Sequence, residues 1–197
     1  IATNGYTGDV TPELKRRVVP VGSYIIATEE LPPDLAKTLS PKNRSFADTR
    51  RVLTYYRMSP DGKRLIFGGR AKFGHTDPVE TAPILYGFMT DRFPQLKGSK
   101  ITHAWTGNVA FTFDFLPHIG VQDGIHYAAG CQGSGVAMAT WLGHNAALKI
   151  AGAANQRFAL DGLEFPTVAL YNGNPNWFLP IIGGWYRLRD RIDRIAA

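Results

Sequence analysis

Between Tyr127 and Val136 the chain reads Tyr-Ala-Ala-Gly-Cys-Gln-Gly-Ser-Gly-Val, and this stretch constrains the fold more than any other. A β-rich run, His126 to Ala129, leads into Gly130, Gly133 and Gly135. A run of small and apolar residues with helical character, Val136 to Ile150, follows and stops at Gly152. A strand that passes through glycines into a helix starting near Ser134 leaves bare main-chain N–H groups, to which the helix dipole adds positive potential. Such a turn suits a flat or anionic ligand. A tight turn also needs glycines for purely steric reasons, so the cluster by itself leaves the ligand-binding and structural readings level.

A chain of 197 residues with 44% hydrophobic content can bury one good core or two modest ones, which excludes disorder. No run approaches the roughly 20 apolar residues needed to span a bilayer. The single cysteine, Cys131, excludes an internal disulfide framework and cysteine-cluster metal sites, and is compatible with the cytoplasm. The net charge of +6 raises the question of nucleic acid. The basic residues fall in short groups, Lys15-Arg16-Arg17, Arg50-Arg51 and the tail Arg187, Arg189, Arg191 and Arg194, with Asp190 and Asp193 interrupting the last. Trp185, Leu188, Ile192 and Ile195 recur at helical spacing, which predicts a helix with one apolar and one charged face docked on its own protein. A separate acidic domain is a second account of the charge.

Along the chain, Val18 to Ala27 is a strand that Pro20 and Gly22 make an edge or bent one. Residues 31–43 form a proline-punctuated connection with about one helical turn. Val52 to Arg57 and Leu65 to Ala71 flank Ser59-Pro60-Asp61-Gly62, a hairpin. Asp77-Pro78-Val79-Glu80 starts a helix whose apolar face is Val79, Leu85, Phe88, Met89 and Phe93; Pro94 closes it, and Pro83 lies early enough to be tolerated. Ile101 to Trp105 and Ala110 to Phe113 are two short strands. Residues 158–171 include a strand, Asn172 to Pro175 is a loop, and Trp177 to Trp185 covers an apolar surface. There is no internal repeat.

The order Trp105-x-Gly107, Phe111-Thr112-x-Asp114-x-x-Pro117-x-x-Gly120, then Gly130-x-x-Gly133-x-Gly135-Val136 resembles the C-terminal part of the D-amino-acid-oxidase-like, FAD-dependent amine oxidoreductases, in particular the gamma-glutamylputrescine oxidoreductase branch. Ala2-Thr3-Asn4-Gly5-Tyr6-Thr7 is similar to the end of a strand of the flavin domain, and Phe67-Gly68-Gly69-Arg70-Ala71 to a strand of the substrate domain. The likeness covers most of residues 1–152. The G-x-G-x-x-G fingerprint that holds the ADP half of FAD is absent, and Ile1-Ala2-Thr3 reads as the tail of a buried strand. The expectation is an α+β fragment: an antiparallel-sheet substrate domain plus the C-terminal return segment of an FAD-binding domain, without its N-terminal Rossmann unit. Residues 1–10 end a flavin-domain strand, 11–105 form the substrate domain, 106–155 the flavin-domain return, and 156–197 a C-terminal extension.

The resemblance implies oxidation of an amine or amino-acid C–N bond with hydride transfer to flavin, putrescine catabolism as a setting, a cytoplasmic location, and a missing N-terminal FAD-binding portion as the partner, with no nucleic acid and no membrane. The isolated fragment is expected to be inactive. It assigns flavin contacts to Gly130, Gly133, Ser134, Gly135, Val136, Trp105 and Gly107, and substrate contacts to Tyr55, Tyr56 and Arg70; it names no catalytic acid or base. Arg70 suits a substrate carboxylate through its two-pronged donors, with a surface arginine or a structural ion pair as the equal alternative. Tyr55 and Tyr56 point to opposite faces of a strand, so one lines a pocket while the other packs. The family's frequent Gly-His-Gly is Gly133-Ser134-Gly135 here, a donor without a cation. No cysteine lies in 101–112, where sarcosine-oxidase relatives attach flavin, so FAD is expected to be non-covalent, and Cys131 to be a buried inert thiol. Asp114 orients its turn. His75, His103, His118, His126 and His144 lack metal-ligand spacing, and His118 is the one nearest to a cofactor role. A non-catalytic binding or assembly module on the same scaffold is the alternative.

Overall fold

The computed structural model describes residues 1–74, 76–153 and 159–195, so His75 and Phe158 lie outside it. In chain order the elements are α1 (Pro12–Lys15), β1 (Val19–Thr28), α2 (Pro33–Leu39), β2 (Phe46–Ala47), β3 (Thr54–Met58), β4 (Leu65–Gly69), α3 (Pro78–Arg92), β5 (Ile101–Phe111), β6 (His118–Gln122), β7 (Ile125–Ala129), α4 (Gly135–Ile150) and α5 (Leu179–Ile195). Two compact units result. Residues 1–21 cluster with 108–176, and residues 22–107 with 177–197. Residues 11–21, read from sequence with the substrate segment, thus fall in the first unit, and 177–197 in the second.

The second unit is built on a five-stranded sheet in the order β2-β3-β4-β1-β5. The β3–β4 hairpin forms as its turn residues dictate, Thr54 opposite Gly69 and Met58 opposite Leu65, with Gly62 at φ +73°. β1 is an interior strand, not an edge. Its antiparallel register with β4 starts at Tyr24, so Pro20 and Gly22 lie ahead of that ladder, where a missing N–H removes no bond from it. α2 makes nearly two turns. α3 starts where Asp77 accepts the Val79 N–H at 2.8 Å, and continues past Pro83. Its buried face is Thr81, Leu85 and Met89, four residues apart, while Val79, expected on that face, is exposed. Tyr24, Ile26, Leu65, Phe67, Leu85, Met89 and Leu96 make a fully buried core. The two short strands expected between 101 and 113 are one strand, β5; Thr106 donates to the Ser23 carbonyl at 2.9 Å, and the Asn108 N–H to the Tyr6 hydroxyl at 2.9 Å, which hold the backbone extended on either side of Gly107.

α5 forms as its periodicity predicts, but it docks by its polar side. Leu179 and Gly183 are buried, and a Cβ on Gly183 would meet the Phe73 ring at 2.5 Å. Arg187 donates to the Ala71 carbonyl at 2.9 Å, and Asp190 accepts the N–H groups of Arg51 at 3.1 Å and Val52 at 2.9 Å. Trp177, Ile181, Trp185, Leu188, Ile192 and Ile195 are exposed, so the aromatic stretch covers less than expected.

In the first unit, β6 and β7 pair antiparallel through Asp123-Gly124, φ +52° and +78°, the two-residue turn that suits strand twist. Ile1 is exposed and forms no strand, yet it donates to the His126 carbonyl and accepts the Ala128 N–H at 3.1 Å, flanking Tyr127 as a parallel strand would. Leu14, Val18, Ala110 and Phe165 form a small core. α4 ends at Gly152, φ +67°, where the N–H groups of Gly152 and Ala153 reach back to the carbonyls of Lys149 and Leu148. Residues 159–171 form no strand.

Candidate functional site

The turn from β7 to α4 takes the left-handed conformation three times, at Gly130 (φ +77°), Gln132 (+55°) and Gly133 (+94°). The glycines serve different ends. A Cβ on Gly130 would lie 2.5 Å from the Thr112 methyl and 3.1 Å from the Leu116 carbonyl, so packing demands that glycine. A Cβ on Gly133 would meet nothing within 4 Å, so only its backbone angle does, and its surroundings are open. Among the described residues a Cβ on Gly135 would meet only the Cys131 sulfur, at 3.5 Å.

Ser134 precedes α4 without capping it by its side chain, and its own N–H donates to the Cys131 carbonyl at 2.9 Å. The first main-chain bond of the helix is Met138 N–H to the Ser134 carbonyl. The N–H groups of Gly135, Val136 and Ala137 therefore have no main-chain acceptor among the described residues, and the dipole adds to their positive potential. Ser134, near which the sequence places the helix start, is thus not among the free donors, because its N–H is taken by Cys131. Beside them opens a cleft of about 240 Å³ lined by Ala2, Asn4, Gly130, Cys131, Gly135 and Gly143, among others. Asn4, which sequence reasoning did not single out, holds this edge: at φ +52° it donates to the Asn108 carbonyl at 2.9 Å and accepts the Ala110 N–H at 3.2 Å. Its signal is the Asn-Gly pair, since Asn tolerates that conformation. Cys131 is half-buried, its sulfur 3.8 Å from the Asn4 side-chain oxygen.

Near this turn His118 is 1% exposed, with Nε2 at 3.1 and 3.0 Å from the two Asp114 oxygens and its ring stacked on Phe165 at 4.0 Å. Among the described residues its Nδ1 has no hydrogen-bond partner. Burial pushes the Asp114 carboxyl up, but hydrogen bonds from His118, the Leu116 N–H and Thr112 outweigh it and hold it below the usual range. These contacts fit the turn-orienting role expected of Asp114.

The second unit carries the remaining predicted residues. Tyr55 lies flat over Gly68, its cross-strand neighbour, where a Cβ would sit 2.2 Å from the ring, and its hydroxyl is 2.9 Å from the Ser23 hydroxyl. Burial pushes the phenol up, opposed by Ser23 and by the Arg70 charge. Burial pulls the Arg70 guanidinium down, opposed by Tyr186 and Tyr55. Arg70, Tyr55 and Tyr186 are thus electrostatic neighbours, and Arg70 donates to the Arg51 carbonyl at 3.4 Å. Tyr56 points the other way: it stacks on Phe46 at 4.8 Å and meets Phe93 edge-on at 4.9 Å, which is a packing role. Trp105 is exposed and Gly107 half-buried, both on β5. Among the described residues no group of three His, Cys, Asp or Glu is placed to hold a metal ion.

The mixed fold with an antiparallel sheet is shared with solved oxidoreductases. Glycine oxidase from Geobacillus kaustophilus superposes with a TM-score of 0.58 at 18% identity, covering 84% of this chain and 44% of that one. L-proline dehydrogenase from P. horikoshii gives 0.53 at 23% identity, covering 74% and 38%. Residues 1–148 match the FAD dependent oxidoreductase family, to which this chain belongs. Gamma-glutamylputrescine oxidoreductase of Escherichia coli is 36% identical over 98% of the chain, which spans 45% of that relative's length.

Proposed function

We propose that this chain is the C-terminal part of an enzyme that oxidises the C–N bond of an amine or amino acid, with gamma-glutamylputrescine-like secondary amines as the favoured substrates. The observation that carries the reading is the set of three unclaimed N–H groups at the start of α4, beside a cleft lined by small residues. The open surroundings of Gly133 and the small lining fit the approach of a flat ring, so the residues present suit FAD, held without a covalent bond.

Bound flavin supplies the two-electron acceptor for oxidation of the amine to an imine, which water hydrolyses. Gly135, Val136 and Ala137 hold developing negative charge with donors fixed before the reaction, which costs no reorganisation. Gly130, Gly133 and Ser134 shape the turn that presents them, and Trp105 and Gly107 are assigned to the same cofactor. Arg70 remains a cation at neutral pH despite its burial and takes a substrate carboxylate; Tyr55 orients beside it. The proposed domain roles are that residues 1–10 and 106–155 serve the flavin and 22–104 the substrate, with 11–21 packed in the first unit. The cytoplasm is the proposed compartment.

The test uses the longer polypeptide that contains this sequence. It is expected to purify yellow and to bleach anaerobically with gamma-glutamylputrescine, and Arg70→Gln is expected to raise KM for a carboxylate-bearing amine by about 10- to 100-fold with flavin content unchanged. A colourless protein sinks the reading and favours a non-catalytic module.

A further inference from the structure

α5 presents its apolar stripe outward and turns its polar side to its own unit. Ile181, Trp185, Leu188, Ile192 and Ile195 recur every three or four residues and are 49–87% exposed. The opposite side carries Leu179, Gly183, Tyr186, Asp190 and Asp193. That side makes the docking contacts, with the Tyr186 ring 6.2 Å from Phe73 and both aspartates on Arg51, at 3.3 and 2.5 Å. At 100° per residue, Arg189 borders one edge of the stripe and Arg191 the other, while Arg187 and Arg194 lie toward the docking side. Arg189 also lies 5.9 Å from the Trp185 ring. Arg191 and Arg194 share with Arg50, Arg187 and the Asp190 carboxylate a groove of about 180 Å³, walled by Val52 and Phe88. The carboxylates of the helix are spent on Arg51, so the outer face is apolar in the middle and cationic on both borders.

We infer that α5 is an interfacial helix that lays this stripe into the surface of an anionic membrane. Its tryptophan and aliphatic side chains enter the headgroup–acyl boundary, and its arginines take lipid phosphates. No helix among the described residues is long and apolar enough to cross a membrane, and a helix that lies in the interface does not need to. Charge complementarity decides the occupant: a second copy meeting the first by this stripe sets arginine borders against arginine borders, whereas a surface of phosphates satisfies both borders at once.

The test is flotation of the 197-residue chain with vesicles of phosphatidylglycerol and phosphatidylcholine, and with phosphatidylcholine alone. The chain is expected to float with the anionic vesicles at low salt and to be released as salt rises. Its tryptophan emission should shift to the blue and be quenched by brominated lipid, a readout that needs no variant. L188E/I192E changes only exposed positions, keeps the circular dichroism of the parent chain, and is expected to lose at least tenfold in partitioning. R189Q/R191Q is expected to lose about 25-fold, at about fivefold for each cation near an anionic surface. The inference is overturned if the chain stays unbound, or if L188E/I192E binds as well as the parent chain, which reduces the effect to charge alone. It also falls if the stripe instead mediates a dimer that L188E/I192E abolishes, or if the longer polypeptide containing this sequence does not bind.

Discussion

The second unit closes its core and the first leaves its longest helix open. In the second, α3 buries Thr81, Leu85 and Met89 against a sheet whose Tyr24, Ile26, Leu65 and Phe67 are sealed from water. In the first, α4 is one residue longer than α3 yet buries only Leu142, and it exposes Val136, at 95%, with Trp141 and Ile150. A helix of small and apolar residues that buries one side chain draws little stability from packing, whatever its propensity. The contrast separates stability, which the sheet unit carries, from the main chain proposed to face the flavin, which α4 carries.

Leucine truncation is the largest expected break in that contrast. Leu85→Ala is expected to cost about 3–5 kcal/mol in urea unfolding, and Leu142→Ala about 2 kcal/mol, because the open surroundings of α4 can relax into the space. Equal losses would mean that the first unit is packed as tightly as the second. Next in size is a carboxylate. Asp48, 8% exposed, is pushed up by burial, but bonds from Thr54 and Arg50 prevail and hold it below its usual value. A carboxyl lowered by folding stabilises fully above its unfolded pKa, about 3.9, and loses that contribution as pH falls through the folded value. Asp48→Asn should therefore cost about 1–3 kcal/mol at neutral pH and nothing at acid pH below both values. A pH-independent loss in urea titrations would refute the ion-pair account. Smallest is Gly152→Ala, expected to cost about 1 kcal/mol by placing a Cβ at φ +67° and to fray the end of α4 in thermal melts followed by circular dichroism.

What the sequence makes legible is local. The β3–β4 turn, the Asp77 cap, and the span of α4 with its Gly152 stop all depend on residues within a few positions of one another. Periodicity in α5 reveals two faces but not which one docks, since that depends on Arg51, Val52 and Ala71 far back in the chain. The role of Asn4 is set by Asn108 and Ala110 in the same way. The β6–β7 hairpin is written in Asp123-Gly124, yet its first strand is masked by the more conspicuous Pro117 and Gly120. At the glycine turn, residue type shows a need for freedom but cannot separate the crowding at Gly130 from the open angle at Gly133.

The anchoring of α5 by Asp190 also fixes an order of events during synthesis. Its hydrogen bond to the Arg51 N–H joins positions 139 residues apart, whereas the β3–β4 hairpin closes within one short turn. A ribosome has finished that hairpin long before Asp190 exists. Until then the N–H groups of Arg51 and Val52 lack this acceptor, and the segment beside Arg70 gains this restraint only once α5 has been made.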